Sequence, residues 1–194
     1  MLKMGLKCGD WMNLKEYIEE GIKTRKSINT GEVEEIARIM ADALRNGKKI
    51  IAFGNGGSAA DAQHFVAELV GKFLLTRKPY RAIALNTNTS ILTAIANDYG
   101  YEHTFARQIE ALAEKGDIVF GISTSGSSEN VVRAIMEANK RGAYTIALTG
   151  KSGGKLKAYA NKTIFVNSEL TPIIQETHIA ILHMICMEVE KKLE

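Results

Sequence analysis

The stretch FGNGGSAADAQHFVAEL, residues 53–69, closes an apolar run with a glycine-rich turn and leads straight into a helical pattern. Gly54, Gly56 and Ala59 fit the G-x-G-x-x-A of a dinucleotide-binding turn. Such a turn has no use for a histidine and a carboxylate on the helix behind it. His64 and Glu68 lie four residues apart, about 400° of rotation, and so share one face of that helix. The spacing suits a shared metal or substrate as well as it suits a simple surface pair.

Outward from this stretch, short apolar runs alternate with helical periodicity. KIIAF (49–53), RAIAL (81–85), DIVFGI (117–122), YTIAL (144–148) and TIFV (163–166) read as strands apolar on both faces. Glycine or polar breaks in NGKK, KGD and RGAY separate them from the helices. Two amphipathic helices, near 13–28 and 32–46, precede the first strand. The expected fold is α/β, a three-layer sandwich on a five-stranded parallel sheet, with N-terminal helices and a long C-terminal helix. The final helix, about 171–193, is apolar nearly all round, and one sheet covers only one face. Either a second subunit or the two N-terminal helices must cover the rest.

Composition narrows the function. A chain of 194 residues, 45% hydrophobic, is long enough for one full core, and a single domain over 1–194 is expected, with 1–13 as a flexible extension and Met4 and Met12 as alternative starts. The net charge of +3 is scattered, so neither a nucleic-acid surface nor a membrane anchor is expected. Cys8 and Cys186 stand near opposite ends with no C-x-x-C and no secretory leader, pointing to a reduced, cytoplasmic protein without a cysteine metal site. The apolar run 179–187 is too short to span a membrane.

Ligands of parallel sheets bind beyond the carboxyl ends of strands, where the strand order reverses. The second strand ends in LNTNTS, with no acid for an adenosine ribose, and neither glycine loop holds the G-K-[ST] of a nucleotide-binding P-loop. The loop after the third strand, STSGSSEN, sets Ser123, Thr124, Ser125, Ser127 and Ser128 around Gly126 before a helix over about 129–140. An ordinary N-cap accounts for one or two hydroxyls; five in six residues suit a phosphate monoester. The last helix adds Gln175, Glu176, His178 and His183 to an apolar background. A solvated first turn explains the first three, and a hydrogen-bonded core histidine explains the fourth, unless all serve a site.

Taken together, GNGGSAADAQHFVAEL, AIANDYGYEHTFARQI, GISTSGSSENVVRAI and IIQETHIAILH resemble the sugar isomerase (SIS) domain, specifically the bacterial phosphoheptose isomerases, in order and spacing from about residue 14 onward. The resemblance implies a flavodoxin-like strand order and conversion of sedoheptulose 7-phosphate to D-glycero-D-manno-heptose 7-phosphate through an enediol, toward heptose for the lipopolysaccharide core. It implies one zinc per subunit on His64, Glu68, Gln175 and His183, with Glu68 and His183 as the acid/base pair. It also implies substrate contacts from Asn55, Gly56, Gly57, Ser58, Glu68, Asn97, Asp98, Ser123, Thr124, Ser125, Ser128 and Gln175, and a homotetramer with sites between subunits. The chain departs from the family at Lys72 and Ile173, where arginine is frequent, which puts the substrate in question. The competing resemblance is to the replication initiator-associating proteins, tetrameric SIS scaffolds without catalysis. The polar lining in ELVGKF and ANDYGYEHTF favours the enzyme.

Overall fold

The computed structural model describes residues 12–194; most of the expected extension over 1–13 lies outside them. The first described turn shows how closely local chemistry sets an element. Asn13 accepts from the Glu16 amide at 3.0 Å while the Glu16 carboxylate accepts from the Asn13 amide at 2.9 Å, a reciprocal cap worth about 1 kcal/mol. It opens α1 (Leu14–Lys26), and Asn29 caps α2 (Thr30–Arg45) in the same way through one bond.

Five parallel strands come next: β1 (Ile50–Gly54), β2 (Ala82–Ala84), β3 (Ile118–Ser123), β4 (Tyr144–Gly150) and β5 (Lys162–Val166). They lie in the order β2-β1-β3-β4-β5. Between them run α3 (Gly57–Val70), α4 (Thr89–Tyr99), α5 (Ala106–Leu112) and α6 (Glu129–Lys140), and the chain closes on α7 (Thr171–Leu193). The order reverses between β1 and β3, whose carboxyl ends pair at Gly54 and Ile122. The two loops with unusual composition therefore emerge side by side at the crevice where such sheets bind ligands. Two cores flank the sheet. One joins α2, α3 and α7 through Met40, Phe65, Phe120 and Ile181; the other joins α5 and α6 through Phe53, Phe105 and Ile135.

α7 is covered within the chain by α1, α2 and α3 as well as by the sheet, so Ile173, Ile174, Ile181, Leu182 and Ile185 are all buried without a partner. Unfilled apolar surface lies elsewhere. α4 has no buried residue, and α1 presents Leu14, Ile18 and Ile22, one turn apart on one face, to solvent. Ile173, one of the departures, sits at 0% exposure against Gly21 of α1, a place with no room for a charge. The solvated-turn reading of Gln175, Glu176 and His178 fails at His178. About two turns into α7, its ring is fully buried.

Candidate active site

Gly56, at φ 55°, turns the chain from β1 into α3, and no side chain caps the helix. Ser58 is buried beneath this turn. A methyl group on Gly57 would collide with the Gln175 amide, so the glycine is what lets α7 bring Gln175 to the start of α3. The side chain of Asn55 exchanges two hydrogen bonds with Asn130 of α6, at 2.8 and 2.9 Å, and accepts a third from the Tyr101 hydroxyl at 3.0 Å. These bonds tie the first loop to the second, at the cost of engaging the amide that was expected to meet substrate.

The second loop forms a hydroxyl cradle. Ser123 Oγ lies 3.0 Å from Ser128 Oγ and 3.4 Å from Ser125 Oγ, and Ser128 caps α6 without bonding its first turn. Three hydroxyls therefore converge on uncapped helical amides, the arrangement that receives an anion. Gly126, at φ 63°, packs against the Gly153 carbonyl so closely that any side chain would collide. The Thr124 carbonyl accepts from the Gly150 amide at 3.0 Å, fixing the loop to β4.

About 10 Å further along α3 from Gly57 lies a second centre. His64 Nε2 is 2.9 Å from Glu68 Oε1 and 3.4 Å from His183 Nε2, and one ligand atom from each of the three falls within 4.8 Å of the others. Edges of about 3.3 Å are what a four-coordinate cation with bonds of about 2.0 Å requires, so two imidazoles and a carboxylate here fit a divalent metal. Burial, then the neighbouring His64, lower the His183 pKa, while Glu68 opposes them. An imidazole whose neutral form is favoured in this way suits both metal binding and proton transfer. Gln175 stands apart from this cluster, about 12 Å of helix rise before His183. Asn97 and Asp98, bonded to each other at 2.8 Å, are exposed on α4. Lys72 is exposed just past α3.

Asp61 does not stand out in the sequence. One turn before His64, its Oδ2 is buried without a partner and burial pushes its carboxyl up to about 6, against the pull of His64. The i, i+3 spacing to His64 is the available signal.

Residues 15–150 match the SIS domain family. The chain belongs to that family. Within it, a Thermoplasma acidophilum protein named "Probable phosphoheptose isomerase" is 56% identical over 93% of this chain and 100% of its own length. A Geotalea daltonii protein named phosphoheptose isomerase is 50% identical, over 93% and 95% respectively. The solved phosphoheptose isomerase of Neisseria gonorrhoeae superposes with a TM-score of 0.86 at 41% identity, covering 92% of this chain and 97% of that one. The SIS fold and its strand order are thus as the sequence led us to expect.

Proposed function

We propose that this SIS protein is a phosphoheptose isomerase, an aldose–ketose isomerase that converts sedoheptulose 7-phosphate to D-glycero-D-manno-heptose 7-phosphate for heptose and lipopolysaccharide-core precursors. The observation that carries the reading is the meeting of Glu68 and His183, from two separate helices, on His64, about 10 Å along α3 from the glycine turn. The substrate carries its phosphate on C7 and reacts at C1 and C2. It needs an anion cradle and a proton-transfer pair set apart from each other, and the hydroxyls of 123–128 and the α3–α7 cluster supply the two.

Ketose becomes aldose when a proton leaves C1, one arrives at C2, and the oxygens exchange theirs. Glu68 takes a proton from C1, exchanges with solvent while the enediol is bound, and delivers a proton to C2. His183, lowered toward neutrality, moves the proton between the two oxygens. Positioned transfer of this kind is worth ~10²–10⁴-fold in rate. His64, Glu68 and His183 would hold one zinc per subunit, and such a metal would supply charge stabilisation to the substrate oxygens. Gln175, over Gly57, meets the sugar and would join the metal's ligand set only by leaving that place. Ser123, Thr124, Ser125 and Ser128 hold the phosphate, with the Gly56–Gly57 amides and Ser58 shaping the sugar side.

Asn97 and Asp98 reach a substrate only if α4 docks on another copy. This supports a homotetramer with shared sites, as does the unfilled face of α1. Among the described residues no helix is long and apolar enough to cross a membrane, and the site calls on cytoplasmic sugar phosphates. The test is incubation of the protein with sedoheptulose 7-phosphate and detection of the aldose by NMR. A protein that binds the ketose phosphate but leaves it unchanged, with or without added zinc, would favour the scaffold reading.

A further inference from the structure

Behind the metal cluster lies a buried ion pair. Arg77 Nε donates to Glu190 Oε1 at 2.8 Å, and the two side chains are 1% and 2% exposed. Pairs of this kind add little stability, because desolvation offsets their attraction. What they do well is hold other groups in place, and both partners here are committed to the site.

Glu190 lies seven residues beyond His183, two turns along the same face of α7. Its carboxylate accepts the backbone amides of Phe73 at 3.1 Å, Leu74 at 3.0 Å and Leu75 at 3.1 Å. Phe73, pinned in this way, stacks on the His183 imidazole with ring centroids 5.5 Å apart and planes 29° from parallel. Arg77 works on the other helix. Its Nη2 donates to the Glu68 carbonyl at 2.8 Å and its Nη1 to the Leu69 carbonyl at 3.0 Å, closing the end of α3 where helical carbonyls lack partners. The Tyr80 ring, 3.7 Å below the guanidinium, holds it flat.

We propose that Arg77 and Glu190 form a positioning pair for the two proton-transfer residues, with Phe73 as the wall that orients His183 and Arg77 as the cap that fixes the Glu68 turn. A ligating histidine and carboxylate need such outer support, and its loss commonly weakens metal affinity or activity by about 10–100-fold. The catalytic half of this inference rests on the isomerase reading. The metal-holding half rests on geometry alone.

Phe73→Leu removes the ring yet keeps the amide that Glu190 binds, and Glu190→Gln removes the charge at constant size. Each full-length variant is assayed with sedoheptulose 7-phosphate, titrated with zinc against a competing chelator, and melted. The expected result is a kcat lowered about tenfold or more at a KM within about twofold, and a zinc affinity lowered about tenfold, with Phe73→Leu melting near wild type. A pair that serves stability alone would lower the melting temperature of Glu190→Gln and leave kcat and zinc affinity intact. If Glu190→Gln does not fold, Phe73→Leu decides. Wild-type kcat and zinc affinity in that variant overturn the proposal. Should the wild-type protein bind zinc without isomerising the sugar, the isomerase reading falls, and the zinc titration of Phe73→Leu still decides the positioning claim.

Discussion

At the scale of residues, the roles proposed for Glu68 and His183 part company with every non-enzymatic account. Glu68→Gln and His183→Gln each keep bulk and hydrogen bonding, and each is expected to cut turnover by on the order of 10²-fold or more while the ketose phosphate still binds. Zinc content is measured alongside, because both side chains are proposed ligands; wild-type turnover in either variant removes its role. Replacing Ser123 and Ser125 by alanine is expected to raise KM about tenfold or more with a smaller change in kcat, since hydrogen bonds to a charged group contribute about 1.5–3 kcal/mol each. An unchanged KM moves the phosphate elsewhere. The His64–Glu68 pair and the serine loop were legible because both depend on local spacing. Asp61 and the Arg77–Glu190 pair were not, since burial of a charge depends on what packs over it, and Arg77 and Glu190 meet across 113 residues. Gln175 shows the limit of a motif: its place over Gly57 is set by the close approach of two helices, which no spacing within one helix reveals.

At the scale of elements, the strands and the four helices α1, α2, α6 and α7 were legible to within a few residues, because their periodicity is sustained. α4 and α5 do not stand out in the same way; α4 buries none of its side chains fully and reaches the core only through the partly buried Leu92. The all-round apolarity of α7 reads as a demand for a partner, whereas α1, α2 and α3 meet most of it. His178 on this helix makes a measurable contribution. Burial lowers its pKa to about 4, the Thr149 backbone opposing this without hydrogen-bond geometry, and neither ring nitrogen has a partner. A histidine held below its unfolded value of about 6.5 favours the fold above that value, and this stability is lost as pH falls from about 6.5 to about 4, by roughly 3 kcal/mol in all. Urea denaturation of wild type and His178→Met at pH 7 and pH 4.5 is expected to show the smaller loss in the variant. Equal losses would mean that His178 does not titrate with unfolding.

At the scale of the whole molecule, the face of α1 that carries Leu14, Ile18 and Ile22 and the unburied α4 are the surfaces on which the proposed homotetramer would form. Ile18→Glu is expected to shift the protein toward the 21.3 kDa chain in light scattering and to lower turnover per chain, because Asn97 and Asp98 would lose their route to a neighbouring site. A monomeric wild type would end the shared-site proposal and leave the α3–α7 cluster to act alone. The strand order was foreseen only through resemblance, since alternation of strands and helices fixes the class of fold and leaves the position of β2 open. The most direct measurement of the central claim is incubation of the purified wild-type protein with sedoheptulose 7-phosphate in deuterated water with zinc present, and NMR of the products. The account predicts formation of the heptose 7-phosphate with solvent deuterium at C2, and none with Glu68→Gln. Unchanged ketose in the wild-type sample would contradict it.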